Sequence, residues 1–115
     1  MIKKYICFIF LVLTFLSTSY AQYGSRVTVK GKIVDNKTKR AVEFANIGFV
    51  GAAIGTVSDV DGNFSLSFAP GLLLATDKFQ VSVIGYEPQI FSKNDVLKQV
   101  GKDFFISLKA KQYSL

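Results

Sequence analysis

A chain of 115 residues with 50% hydrophobic side chains has material for one domain with a modest core and no more. It contains no histidine and one cysteine, Cys7, close to its start, which excludes an imidazole general base, a serine or cysteine triad built on one, and a disulfide framework. The net charge of +6 is scattered along the chain without clustered aromatics, so it speaks for solvated faces and guarded strand edges and against nucleic acid as a partner.

Met1-Ile2-Lys3-Lys4 is short and basic, Tyr5 to Leu16 is almost wholly apolar, and Ser17-Thr18-Ser19-Tyr20-Ala21 follows. That order is the order of a secretory signal peptide over residues 1–21, with Ser19 and Ala21 as the small residues that place the cut before Gln22. The apolar run falls short of the roughly 20 residues a bilayer span requires, so no stable membrane span is expected after cleavage. Cys7 opens the apolar run instead of closing it, and leaves with the peptide unlipidated. Cleavage takes 21 of the 115 residues and 2 of the 14 basic side chains, leaving 94 residues with 12 basic against 8 acidic groups, a net +4. Residues 22–25 read as a flexible leader, 26–111 as the domain and 112–115 as a tail.

Arg26 to Val34 alternates, with Val27, Val29 and Ile33 on one face of an expected strand. Gly31 interrupts that face and marks a bulge or a close approach of another backbone. Asp35 to Arg40 is a polar loop, whose tip of Lys37, Lys39 and Arg40 is either solvated or a contact for an acidic partner. Val42 to Val50 is a second extended segment carrying Phe44, Ile47 and Phe49, with Asn46 expected near a strand end. Gly51 to Gly55 is a small-residue loop without the lysine and helix of a phosphate cradle.

Gly55 to Phe68 then reads as a hairpin. Val57, Phe64, Leu66 and Phe68 share a face, and Asp61-Gly62 supplies the reversal. Ala69-Pro70-Gly71 is a turn, Leu72 to Leu74 opens an apolar stretch, and Phe79 to Tyr86 is a strong strand with Phe79, Val81 and Val83 on one side. Pro88 precedes a short edge piece, Gln89 to Phe91. Ser92 with Asp95 three positions on predicts a capped helix over Lys93–Val100 that stops at Gly101 and turns Val96, Leu97 and Val100 inward. Asp103 to Lys109 closes the set. The expected core is Val27, Val29, Ile33, Phe44, Ile47, Val57, Phe64, Leu66, Phe68, Val81, Val83, Phe104, Ile106 and Leu108. Short strands of alternating polarity with one short helix near the C-terminus make an all-β chain, an antiparallel β-sandwich.

Asp59, Asp61 and Asn63 form the one cluster of hard-oxygen donors. A turn that bonds its own backbone is the ordinary reading of these residue types, and a calcium site the weak alternative, since the further oxygens of an EF-hand loop do not follow. Tyr86, Phe91 and Tyr113 raise stacking on sugar rings against the simpler reading for Tyr86 of a ring over the core with its hydroxyl in water. No cofactor is called for, and Ser58, Ser65, Ser67 and Ser82 lack any histidine base.

Four ordered blocks carry a resemblance. Val29-x-Gly31-x-Ile33-Val34-Asp35, Val42-x-Phe44-Ala45-Asn46-Ile47, Gly55-Thr56-Val57-Ser58-Asp59-x-Asp61-Gly62-x-Phe64-x-Leu66 and Val81-x-Val83-Ile84-Gly85-Tyr86 together resemble the carboxypeptidase-like regulatory domain. The resemblance implies a seven-stranded antiparallel β-sandwich of the transthyretin (prealbumin) type with no catalytic residues, the zinc ligands of such carboxypeptidases belonging to a separate domain. Domains of this kind stand at the periplasmic N-terminus of TonB-dependent outer-membrane receptors or are appended to other exported proteins. The expected role is therefore a non-catalytic accessory and interaction module of the bacterial cell envelope. Its place would be the periplasm or the periplasmic face of the outer membrane, and its partner an envelope protein, within an outer-membrane transport complex. The alternative is a small glycan- or peptide-binding domain linked to nutrient uptake. The first expects a free edge strand and no concave apolar pocket, the second a cluster of exposed aromatics on one face. In such receptors a linker, a plug and a long barrel follow the last strand; the ending Gln112-Tyr113-Ser114-Leu115 leaves open a free-standing module and the leading part of a longer protein.

Overall fold

The computed structural model describes residues 24–112. The signal peptide expected at 1–21, the start of the expected leader, and Tyr113 with the rest of the tail lie outside the described residues. Within them the order is β1 (Val27–Asp35), β2 (Asn46–Val50), β3 (Ile54–Val57), β4 (Asn63–Phe68), a 3-10 turn (Pro70–Leu72), β5 (Lys78–Ser82), β6 (Gln89–Ser92), α1 (Lys93–Leu97) and β7 (Asp103–Leu108). The strands form two sheets, a three-stranded sheet ordered β4-β1-β7 and a four-stranded sheet ordered β3-β2-β5-β6.

The three-stranded sheet is organised by β1. Alternation sends Val29 and Ile33 inward from β1, Phe64, Leu66 and Phe68 from β4, and Phe104, Ile106 and Leu108 from β7, and all are buried. Gly31 stands level with Phe64 on one neighbour and Phe104 on the other. A Cβ at Gly31 would collide with the Phe104 carbonyl oxygen and lie 2.7 Å from Phe64 Cε1. The glycine is thus the close approach expected from sequence, and neither ladder carries a bulge beside it.

The four-stranded sheet contributes Ile47, Phe49, Phe79 and Val81 to the core. Five phenylalanines run through that core from one flank of the sandwich to the other. Phe68 on β4 meets Phe49 on β2 at 5.0 Å, Phe49 meets Phe79 on β5 at 5.2 Å, Phe79 meets Phe91 on β6 at 6.2 Å, and Phe91 meets Phe104 on β7 at 5.1 Å. Most of these contacts are edge-on, the arrangement in which aromatic pairs add about 0.5–1.5 kcal/mol beyond their burial.

Several expectations change. The sandwich is not wholly antiparallel: β1 and β7 run parallel, from Lys30 beside Asp103 to Asp35 beside Leu108. Inward-outward alternation is the same for both strand directions, so the sequence pattern carries no sign of this. Gly55 to Phe68 is not a hairpin either. β3 and β4 belong to different sheets, and the chain crosses between them at Ser58–Gly62. The tight turn is real, with Gly62 at φ 78° and its N–H bonded to the Asp59 carbonyl at 3.0 Å, but it is a corner between sheets. The paired hairpin lies one element earlier, β2 with β3, from Asn46 beside Val57 to Phe49 beside Ile54.

Because the phase of alternation changes at that corner, Val57 faces outward and is 50% exposed. Phe44 lies ahead of β2, which begins only at Asn46, and is 62% exposed; Ala45 and Val42 take the inner positions. Val27 and Val83 pack against the core from its margin. β5 ends at Ser82, since Val83 to Tyr86 forms a turn closed by Tyr86 N–H to the Val83 carbonyl at 3.2 Å. The helix is shorter than its pattern, Lys93–Leu97, although Ser92 caps it as expected by accepting from Asp95 N–H at 3.2 Å and Val96 is fully buried. Among the described residues no helix is long and apolar enough to cross a membrane.

Candidate functional site

A sandwich of two open sheets has two flanks, and here they are finished differently. One flank carries β6 and β7, the other β3 and β4. On the β6/β7 flank the edges are tied to each other: Glu87 N–H donates to the Lys109 carbonyl at 2.8 Å, Lys111 N–H to the Gly85 carbonyl at 2.8 Å, and Gln89 Nε2 to the Ser107 carbonyl at 3.4 Å. Pro88 enters β6, α1 leaves it, and Tyr86 bridges to Ala110. These devices close the end of the flank nearest Tyr86 and Ala110 and shorten the open hydrogen-bonding rows that make sheet edges sticky.

On the β3/β4 flank, β4 is covered in part. The Arg26 guanidinium donates to the Ser67 carbonyl at 2.9 Å, and the 3-10 turn at Pro70–Leu72 stops the strand. Among the described residues β3 has no such cover. Ile54-Gly55-Thr56-Val57 contains no charge and no proline. Ser58 N–H points at β2, bonding the Ala45 carbonyl at 3.0 Å. Counting back from it, the alternation of an antiparallel ladder turns the N–H and C=O groups of Gly55 and Val57 away from β2. None of the turn and loop hydrogen bonds among the described residues uses those groups.

Depressions flank this strand on both sides. On the outer face, Gly48 and Gly55 stand opposite each other and leave a shallow saddle of about 420 Å³, rimmed by Asn46, Val50, Val57, Gln80 and Ser82 and free of charged lining. On the inner side, a seam of about 270 Å³ lies between β3 and β4, lined by Ile54, Gly55, Leu66, Phe68 and Leu72, with Arg26 as its charged member. Side chains of a strand point alternately to its two faces, so a strand added to β3 would offer them in turn to the saddle and to the seam.

The corner that ends β3 is held by Ser58, which is 1% exposed. Its hydroxyl accepts from Ala45 N–H at 2.9 Å and donates to the Val42 carbonyl at 2.8 Å, while its own carbonyl accepts from Phe44 N–H at 3.0 Å. Phe44 and Ala45 thus face one residue, the arrangement of a bulge whose first position is left-handed and usually glycine. Phe44 fills it with φ 58°. A bulky residue held there is strained, and its ring stands in solvent.

Of the residues singled out from sequence, Asp59 is committed to its turn. Its Oδ1 accepts from Asp61 N–H at 3.0 Å and Asn63 N–H at 2.9 Å. The chain brings Asp59, Asp61 and Asn63 together as consecutive parts of the corner, next to the end of β3. Tyr86 packs its ring against the core from the margin, and its hydroxyl donates to Asp35 Oδ2 at 2.8 Å, tying the end of β1 to the β5–β6 turn. Asp35 is held below the usual carboxylate range, chiefly by the N–H of Thr38 and then by the Tyr86 hydroxyl and the N–H of Lys37; Tyr86 is raised by the same bond. Phe91 is in the core's aromatic run. Among the described residues the exposed phenylalanines are Phe44, before β2, and Phe105, on β7, which form no common platform on one strand or loop.

Sequence reading missed Ser58 as a buried hub, Arg26 as the cover of β4, and β3 as a free edge. One signal for the last was present: from Gly51 to Ser58 the chain has neither charge nor proline, the residues by which edges are ordinarily guarded.

Residues 29–115 match the family described as the CarboxypepD_reg-like domain. Over 67 residues, 58% of this chain, the sequence is 43% identical to the TonB-dependent receptor SusC of Bacteroides thetaiotaomicron. The matched region amounts to 6% of that receptor's length.

Proposed function

Because this chain belongs to the CarboxypepD_reg-like domain family, we propose that it is a non-catalytic interaction module of the bacterial cell envelope, equivalent to the N-terminal domain of a TonB-dependent receptor. The observation that carries this reading is the 43% identity to such a receptor over 67 residues. The structure supports it by what the described residues offer a partner: a sheet edge free among them, with shallow ground on either side. The absence of histidine from the whole sequence supports the non-catalytic part. A basic start, a short apolar run and small residues before Gln22 support export into the periplasm.

Cell fractionation with N-terminal sequencing tests the placement. The mature chain is expected outside the inner membrane and to begin at Gln22; cytoplasmic protein retaining Met1 overturns it. Chemical cross-linking in intact cells, followed by identification of the adducts, tests the role. The expected adduct is an outer-membrane transport protein. Adducts confined to cytoplasmic proteins, or an activity on peptide or glycan substrates that survives in the purified chain, overturn it.

A further inference from the structure

Resting on that reading, we infer that β3 is where the partner binds, and that the partner presents an extended segment which adds to β3 as an extra strand. The segment is uncharged in its middle, acidic at the end that meets Arg26 and basic at the end that meets the Asp59–Asp61 corner.

Main-chain recognition follows from the edge itself. Gly55 and Val57 direct their amide and carbonyl groups outward, and strand addition satisfies those groups on both partners at once. Selectivity follows from the ground beside the edge. Alternate side chains of the incoming strand fall on the Gly48–Gly55 saddle, which has no charged lining, and into the seam beside Ile54 and Leu72. Small or β-branched side chains suit both depressions, since neither is deep.

Charge fixes the ends. Arg26 is exposed beside the Ile54 end of the strand and spends one N–H on Ser67, so the rest of its donor fork is available to a carboxylate. At the other end, two residues beyond Val57, exposed Asp59 and Asp61 form an acidic corner. The strand between them is neutral. A second copy of this chain fits less well: the four-residue β3 buries little area on self-pairing, far below the roughly 1,200 Å² of a stable interface.

The test is selection of random linear octapeptides against the purified protein, followed by affinity measurement of the enriched peptides. Expected are sequences of alternating β-branched residues with an aspartate or glutamate towards one end and a lysine or arginine towards the other. Val57→Pro removes an outward N–H that β2 does not use and should weaken those peptides about tenfold or more. Val57→Lys keeps the backbone intact, guards the edge by charge, and should do the same even if the proline variant fails to fold. Arg26→Glu should invert the preference at one end from acidic to basic. Cooperative unfolding verifies that each variant is folded.

Peptides that bind Val57→Lys and the parent equally, or that keep their acidic end against Arg26→Glu, overturn the inference. So does a concentration-dependent dimer in sedimentation that Val57→Lys abolishes, since the edge is then occupied by a second copy. If Val57→Lys instead leaves the outer-membrane cross-link in cells unchanged, the edge assignment falls and the module reading stands.

Discussion

The two flanks of this sandwich solve one problem in opposite ways. Every open sheet ends in strands with unmet hydrogen bonds. The β6/β7 flank meets some of them within the molecule, through Glu87, Gln89 and Lys111 on the surface, with the Phe91–Phe104 pair behind them. The β3/β4 flank sets a single guanidinium on β4 and leaves β3 bare. The first flank carries the cross-ties between the sheets, and the second leaves an edge available.

The largest test of that contrast is a pair of truncations. Phe104→Ala removes a buried ring from between β6 and β7 and should cost about 3–5 kcal/mol in urea unfolding. Ile54→Ala on the bare flank, where the side chain is half-buried, should cost about 1 kcal/mol. Equal losses would erase the difference between the flanks.

Next in size is the corner at which β3 stops. Ser58→Ala changes little in shape but strands Ala45 N–H and the Val42 carbonyl in a buried place, at a cost of about 1–3 kcal/mol. Peptide binding at β3 should weaken with it, because the corner fixes where the free edge ends. A variant as stable as the parent would show that water replaces the hydroxyl.

A smaller effect of opposite sign is expected at Phe44. Phe44→Gly relieves the left-handed strain and gives up a ring already in solvent, so the melting transition should rise, by about 1 kcal/mol in stability. A fall would reveal packing by the ring.

The smallest is a pH effect at the Tyr86–Asp35 bond. Asp35 has its folded value lowered, so its stabilisation is present above the ordinary carboxylate range and lost as pH falls through the depressed value. Tyr86 has its value raised, so its contribution is complete below about pH 10 and lost as pH climbs past it. Tyr86→Phe should abolish the alkaline loss and shrink the acid one, leaving the part due to the Thr38 and Lys37 amides. Melting temperature followed from acid to alkaline pH reads both arms, and an unchanged alkaline arm would assign the loss to another group.

Much of the fold was legible because burial has a period. Val29, Ile33, Phe64, Leu66, Phe68, Val81, Phe104, Ile106 and Leu108 were placed in the core by alternation, and all are buried. Alternation fails where the backbone leaves the strand. Phe44 and Val57 sit beside the bulge and the sheet crossing at Ser58, each of which shifts the count by a residue, so both were assigned to the wrong face. Strand partners were the other blind spot. A run such as Gly55 to Phe68 fixes its own faces but not which sheet each half joins, and Asp61-Gly62 turns the chain equally well within a hairpin or between sheets. The candidate site was the least legible, because a free edge is a property of neighbours that are missing. Only the uncharged stretch from Gly51 to Ser58 hinted at it.

The parallel pairing of β1 with β7 has a mechanical consequence. The chain enters the sandwich at one end of that pair and leaves it at the other, since both strands run the same way from Lys30 and Asp103 to Asp35 and Leu108. A pull applied between the two attachment points slides the strands along each other. It cannot peel them apart one bond at a time. All six paired positions share the load together, and the Phe64 ring and Phe104 carbonyl that close on Gly31 must give way with them. Tension passed along the polypeptide therefore meets the domain in shear, its strongest direction, while the bare edge at β3 lies outside the loaded sheet.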